Sequence, residues 1–253
     1  MDLLHRTFLP LIAITCICFP AVEVRADSGR STRVDQFERP IPTGEVLFFH
    51  LAYRKKCDYV LDELDLKPGE VVVDIGAGDG WWSSKMAERV GPTGTVHAAD
   101  ISKKAIRMMK KRHAKVPQLK PYLCSTKGPD LPENSCDLAF ISKTYHHLPK
   151  DDRVGYMRRL RSAIKPTGRL VIVEYYRELG VGISATHSYS PGQLALQAEE
   201  AGWTLLRCEM INGTRHFMAV FVNREIFPVE KLKQKPKKPV VKPKPQNPEI
   251  PNP

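Results

Sequence analysis

The sequence predicts an α/β domain built on a mostly parallel sheet, with helices on both faces and an antiparallel hairpin at its C-terminal end. Three observations carry this. Short aliphatic runs recur with amphipathic segments between them, the runs lack a clean apolar/polar alternation, and the last two lie close enough in sequence to fold back on each other. A strand without in/out alternation is buried on both faces, as in a parallel sheet covered by helices.

The expected parallel strands are 71–75, 96–99, 138–141 and 170–173, each short and β-branched or aliphatic. Before the last of them, Val154, Met157, Leu160 and Ile164 share one helical face while Arg158, Arg159 and Arg161 occupy the other, and Pro166 is expected to stop that helix. Ser190-Pro191-Gly192-Gln193 supplies a cap, a proline at the first helical position and a capping-box glutamine, and Gly202 closes the same helix. Residues 203–206 and 217–222, with Asn212-Gly213 between them, are expected to pair as a hairpin.

Composition sets the organisation around this domain. The chain has 253 residues, enough for one domain of ordinary size, expected over 43–227. Its net charge of +11 is uneven: from Val229 to Pro253 seven lysines face two glutamates, a net +5, which leaves +6 elsewhere. The tail, 228–253, holds seven of the 21 prolines from Val229 onward and cannot bury a core, so an extended spacer is expected, with an anionic surface as its candidate partner. At the other end His5 and Arg6 precede an apolar stretch, Phe8–Val22, followed by Val24-Arg25-Ala26. This reads as an export signal over 1–26, since the stretch is shorter than the roughly 20 residues of a spanning helix. An uncleaved anchor is the weaker alternative, and 27–42 has the composition of a linker. Four cysteines then remain, Cys57, Cys124, Cys136 and Cys208, without the close pair of a zinc or redox motif, so no metal site is expected. Cys124 and Cys136 fall in or beside core strands, where a free thiol serves as a small hydrophobe.

The chemistry is concentrated in VVVDIGAGDGWW, residues 71–82. An apolar strand runs into Asp74 and then Gly76, Ala77, Gly78 and Gly80, a turn through which backbone approaches a ligand closely and which the next helix faces with its N–H groups. The glycines recur every second residue, unlike the G-x-G-x-x-G of dinucleotide-binding folds, which disfavours a nicotinamide-dependent oxidoreductase. A second strand ends at Asp100, 26 residues past Asp74, with Ile101 beside it. Then follow LPENSCDLAFISKTYHHL (131–148) and IKPTGRLVIVEY (164–175).

These four motifs in order, spread over about 55–222, resemble the class I S-adenosylmethionine-dependent methyltransferases, and among them the small-molecule enzymes of the quinone-biosynthesis type. The resemblance implies a Rossmann-like doubly wound sheet and S-adenosylmethionine as cofactor. It implies a cofactor cradle at Asp74, Gly76, Ala77, Gly78 and Gly80, with Asp100 accepting both ribose hydroxyls. Such enzymes commonly place an acid just before the LP turn to hold the adenine amino group. Here that stretch is Ser125-Thr126-Lys127-Gly128-Pro129-Asp130. Asp130 takes the role if the loop bends, and Ser125, Thr126 or backbone otherwise.

Methyl transfer from a sulfonium needs alignment more than covalent help, but an acceptor with a proton to lose benefits from a base. Tyr145, His146 and His147 lie just past the fourth strand, and His146 or His147 is the expected base or orienting group. The plain alternative is that one histidine caps a helix and the other is solvated. Glu174 and His187 are secondary candidates for the acceptor pocket, and His216 reads as a surface or sheet-edge residue. Of Trp81 and Trp82, one is expected in the core and the other over the cofactor. A second function class, a binding module that keeps the fold without turnover and is tethered to an anionic envelope surface, is raised by the conflict between export and a cytosolic cofactor. No nucleic-acid partner is expected, because the domain's charge is modest and the proline/aromatic signature of nucleic-acid methyltransferases is missing after the fourth strand.

Overall fold

A computed structural model describes residues 51–177 and 187–224; the export segment, the linker and the Lys/Pro tail lie outside them. In chain order the elements are α1 (Cys57–Glu63), β1 (Val71–Ile75), α2 (Trp81–Val90), β2 (Thr95–Asp100), α3 (Lys103–Arg112), β3 (Leu119–Leu123), β4 (Cys136–Ser142), a single 3₁₀ turn (Tyr145–His147), α4 (Arg153–Ala163), β5 (Ile164–Tyr175), α5 (Pro191–Glu200), β6 (Trp203–Met210) and β7 (His216–Asn223). The seven strands form one sheet in the order β3-β2-β1-β4-β5-β7-β6. β1 to β5 run parallel, and β7 lies antiparallel to both β5 and β6. This is the mostly parallel, Rossmann-like sheet with a C-terminal hairpin that the sequence predicts.

Side-chain alternation divides the core between two layers. Val73, Ala139, Ile141, Leu170, Ile172 and Phe217 face α4 and α5, where Met157, Leu160, Leu194 and Ala198 meet them. Their neighbours Val72, Leu138, Phe140, Val171, Val173 and Met218 face α1 and α2, against Val60, Leu61, Met86 and Val90. Both faces are therefore buried, which is why these strands read as continuous apolar runs. A smaller cluster of Ala98, Ile106, Met109 and Leu119 fixes α3 to the β2–β3 end of the sheet.

Three local expectations need correction. The α4 helix ends at Ala163, and Pro166 sits inside the run-in of β5 rather than ending the helix. β3, absent from the sequence reading, is an edge strand with only Leu119 buried, and Pro121 within it. Finally, His216 is fully buried, its ring stacked between Tyr53 at 4.4 Å and Tyr175 at 4.2 Å. Among the described residues the four cysteines are free thiols, with Cys136 buried in β4.

Chain order reverses at β1, which pairs with β2 on one side and β4 on the other. In an open α/β sheet the carboxyl ends of the strands flanking such a switch point border the ligand crevice. The candidate site residues lie there.

Candidate functional site

The cradle is assembled from backbone. The N–H groups of Gly76 and Ala77 both donate to the Ala99 carbonyl, at 2.9 and 3.0 Å, which ties the turn after β1 to the end of β2. Gly78 N–H donates to Asp100 Oδ2 at 2.9 Å, and Ser102 N–H donates to Asp100 Oδ1 at 2.8 Å. Asp100 is buried and held from both sides. Each oxygen keeps lone pairs beyond the one in use, so an oriented carboxylate remains able to accept from a pair of vicinal hydroxyls. Gly78 adopts φ of +61°, and a Cβ there would find nothing closer than the Gly76 carbonyl oxygen at 4.0 Å. Glycine is thus required by backbone conformation, and the space beside it is open. Next to Asp100 and at the end of β3, Ile101 and Leu123 are exposed hydrophobics, an apolar flank suited to a purine.

Gly76 has a different constraint. A Cβ on it would lie 2.3 Å from Cγ2 of Thr144, so the turn after β1 abuts the segment after β4. Beneath this contact Asp74 is almost fully buried and accepts from the Ser83 hydroxyl at 2.5 Å. Burial pushes its carboxyl up to about 7, against the hydrogen bond from Ser83 and reinforced by the nearby Asp100 and Asp79 carboxylates. Asp74 therefore braces the cradle from below, joining β1 to the first turn of α2.

Two residues past Thr144 lies a second constellation. Glu174, fully buried at the end of β5, accepts from His146 at two points: the backbone N–H on Oε1 at 3.3 Å, and ring Nδ1 on Oε2 at 2.9 Å. The parallel register Ser142↔Val173 brings the two together, since the pairing of β4 with β5 ends at that level. A carboxylate on Nδ1 fixes the proton there and leaves Nε2 as the acceptor of the neutral ring. Arg153, also buried, donates to the carbonyls of His146 and Leu148 at 3.1 Å each and to the Tyr189 hydroxyl at 3.1 Å. His146 is thus held through its N–H, its carbonyl and its ring. The His147 ring lies 4.0 Å from that of His146 and the His187 ring 5.4 Å away, so the three imidazoles are neighbours. Among the described residues, no group of three or more His, Cys, Asp or Glu is arranged to hold a metal.

The remaining candidates fall around these two centres. Tyr145 is fully buried; its hydroxyl donates to Gln197 at 2.9 Å and its ring packs edge-on to Tyr189, so it faces α5 rather than the cradle. Burial holds its phenol above the ordinary tyrosine range. The loop before the LP turn does bend: Asp130, at φ +50°, accepts from Ser125 N–H at 2.5 Å and from the Ser125 hydroxyl at 3.1 Å. Those bonds place Asp130 and Ser125 at one point on the rim, where the sequence left them as alternatives. Trp82 is the tryptophan that reaches the core, against Tyr53 at 5.2 Å and Phe140 at 5.5 Å. Trp81 packs edge-on to it, with the Arg54 guanidinium 4.7 Å above its ring. Thr144, Ser83, Tyr53 and Arg153 are not singled out by the sequence. Their roles depend on contacts between distant segments, and only the polar residue after each strand hints at them.

Comparison with known proteins agrees with this geometry. Residues 72–168 match the family model of a methyltransferase domain. Over 119 residues the chain is 29% identical to a ubiquinone/menaquinone biosynthesis C-methyltransferase of Cupriavidus metallidurans, covering 46% of this chain and 48% of that one. It is 26% identical over 191 residues to the demethylmenaquinone methyltransferase of Oceanobacillus iheyensis, covering 72% and 78%. The chain thus spans about half the length of the first of these relatives. Among solved structures, a SAM-dependent methyltransferase from Aquifex aeolicus superposes with a TM-score of 0.60 at 25% identity, covering 65% of this chain and 88% of that one. The cofactor that the family model and this neighbour support is S-adenosylmethionine. In sequence over residues 72–168, and in fold over most of what the structure describes, the protein is similar to the class I S-adenosylmethionine-dependent methyltransferases.

Proposed function

We propose that this protein transfers the methyl group of S-adenosylmethionine to a small or medium organic acceptor that loses a proton on methylation. The observation that carries the reading is Asp100, clamped by Gly78 N–H and Ser102 N–H at the tip of β2 beside an open glycine turn and an apolar flank. The residues present fit the cofactor: Asp100 would take the ribose, the 76–80 turn would admit the amino-acid portion, Ile101 and Leu123 would cover the adenine, and Asp130 or Ser125 would meet its edge. When bound, the sulfonium supplies an activated methyl together with its own leaving group.

The chain's own part is positioning and proton handling. Glu174 orients the His146 ring, and Nε2 receives the acceptor's proton; His147 and His187 line the approach to it. Arg153 keeps the turn that carries His146 in place. A base set this firmly, on a carboxylate with no exposure, supports turnover over the reading of a fold kept only for binding. The apolar Phe8–Val22 stretch supports export or membrane attachment of the chain. Calorimetric titration of the full chain with S-adenosylmethionine and, separately, with NADH tests the reading. Heat with S-adenosylmethionine alone is expected; binding of NADH alone would overturn it.

A further inference from the structure

The α3 helix carries Lys103, Lys104, Arg107, Lys110, Lys111 and Arg112 within its ten residues and no acidic side chain. Ala105, Ile106 and Met109 are buried against the sheet, and the six basic residues are exposed on the remaining surface together with Met108. Arg112 pairs with Asp79 at 2.5 Å. Among the described residues, none of the other five takes part in an ion pair.

Nothing in the folding of the domain accounts for this arrangement. Lys104, Arg107 and Lys111 stand at the three- and four-residue spacings at which like charges repel on a helix, as do Lys103 and Arg107. Lys103 and Lys104 also occupy the first turn, the end of the helix where positive charge is disfavoured. Beyond the C-terminal end of α3 the same basic character continues around a shallow hollow of about 210 Å³ against the edge strand β3. Lys110, His113 and Lys120 line it together with apolar Met109, Val116 and Leu119.

We propose that the exposed face of α3, with this adjoining hollow, is a docking surface for an anionic phospholipid bilayer. The charge complement is direct: five cations without a counterion in the described chain face a plane of phosphodiesters, and the hollow offers lysines to one headgroup over an apolar floor. A bilayer is favoured over a nucleic acid because the face carries no aromatic ring on which a base could stack, and its single exposed hydrophobic residue is the flexible Met108. Ser102 caps α3 two residues after Asp100, its hydroxyl accepting from Ala105 N–H at 3.3 Å, so the helix starts at the crevice rim. Docking through α3 brings that rim to the membrane surface, within reach of an acceptor dissolved in the bilayer. The lipid contact does not depend on the methyltransferase reading, since it is measured without cofactor or acceptor.

The test is cosedimentation of the full chain with phosphatidylcholine vesicles prepared with and without phosphatidylglycerol. The natural chain is compared with K104Q/R107Q/K111Q, with K104E/R107E/K111E, and with a chain whose seven tail lysines are replaced by glutamine. Phosphatidylglycerol is expected to increase binding, and that increment to fall at least about tenfold in the glutamine triple variant and further in the glutamate one, and to weaken with added salt. The glutamine variant removes repulsion without adding a contact, so it folds at least as well as the parent and decides the matter if the glutamate variant does not. Absence of binding to phosphatidylglycerol vesicles, equal binding by the α3 variants, or loss confined to the tail variant would each overturn the proposal. So would displacement of the vesicles by an oligonucleotide whose own binding needs the same three residues.

Discussion

Replacement of Asp74 by asparagine turns its burial into a measurable pH dependence. In the folded chain the carboxyl titrates at about 7, against an ordinary value of 3.8 that the unfolded chain regains. Because the folded value is the higher one, the stability this group contributes is complete below 3.8 and is lost as pH rises through about 7. The gap is roughly 3 pH units, each worth about 1.4 kcal/mol, so ionisation of Asp74 costs the folded state roughly 4 kcal/mol by pH 8. The asparagine side chain cannot ionise and escapes that cost. Its carbonyl still accepts from Ser83, but its amide N–H₂ is left in a buried site, a pH-independent loss of about 1–3 kcal/mol. Denaturant unfolding of the Asp74→Asn variant and its parent from pH 4 to 8 should therefore show curves that cross. The variant is less stable at pH 4, comparable in the middle of the range and more stable by a few kcal/mol at pH 8. Other titrating groups are common to both chains and cancel in the difference. A difference that stays flat with pH would refute the reasoning, because it would mean that Asp74 keeps its ordinary acidity in the fold.

Three further outcomes follow from the site. Asp100→Ala removes the acceptor of two backbone N–H groups and the proposed ribose ligand, and should weaken S-adenosylmethionine binding in calorimetry by at least about 1–3 kcal/mol; unchanged affinity would take Asp100 out of the site. Glu174→Gln presents an amide in place of the Nδ1 acceptor, so ¹⁵N NMR should find a changed tautomer balance at His146 and methyl transfer should slow by about 10²-fold, whereas an unaltered His146 spectrum would mean the pair does not set the proton. Gly76→Ala places a Cβ 2.3 Å from Thr144 at a backbone φ of +71°, and should lower stability by about 1–3 kcal/mol. Thr144→Gly in the same chain should recover the contact portion of that loss in a double-mutant cycle, and additivity of the two changes would show that they do not touch.

The parts of the fold that are legible in the sequence share a physical cause. β1, β2, β4 and β5 are covered on both faces, so burial writes them as unbroken apolar runs. β3 has one covered neighbour and an exposed edge, and Leu-Lys-Pro-Tyr-Leu carries too little burial to announce a strand. The cradle is legible because a strand, a glycine turn and a helix are contiguous in the chain. His146 and Glu174 each stand out in the sequence, but their pairing does not, since it depends on β4 and β5 being adjacent and in register. His216 is misjudged from its place at the start of a strand. The run of apolar residues that follows it, Phe217–Val222, is the sign that β7 is covered on both sides and that its first residue lies inside as well. Thr144 leaves no trace in the sequence, because its meaning lies in a glycine 68 positions earlier.

That meeting of Thr144 with Gly76 gives the two halves of the crevice a common joint. One side of it is the turn proposed to admit the amino-acid portion of the cofactor; the other, two positions along, is the imidazole clamped to its carboxylate. On the proposed function, widening the first would displace the second, and occupancy on the donor side would reset the geometry met by the acceptor. By thermodynamic reciprocity the acceptor changes the affinity for the donor by the same factor. On the proposed function the two ligands are expected to bind as coupled events, and loosening the joint at Thr144 should make their affinities independent in paired titrations.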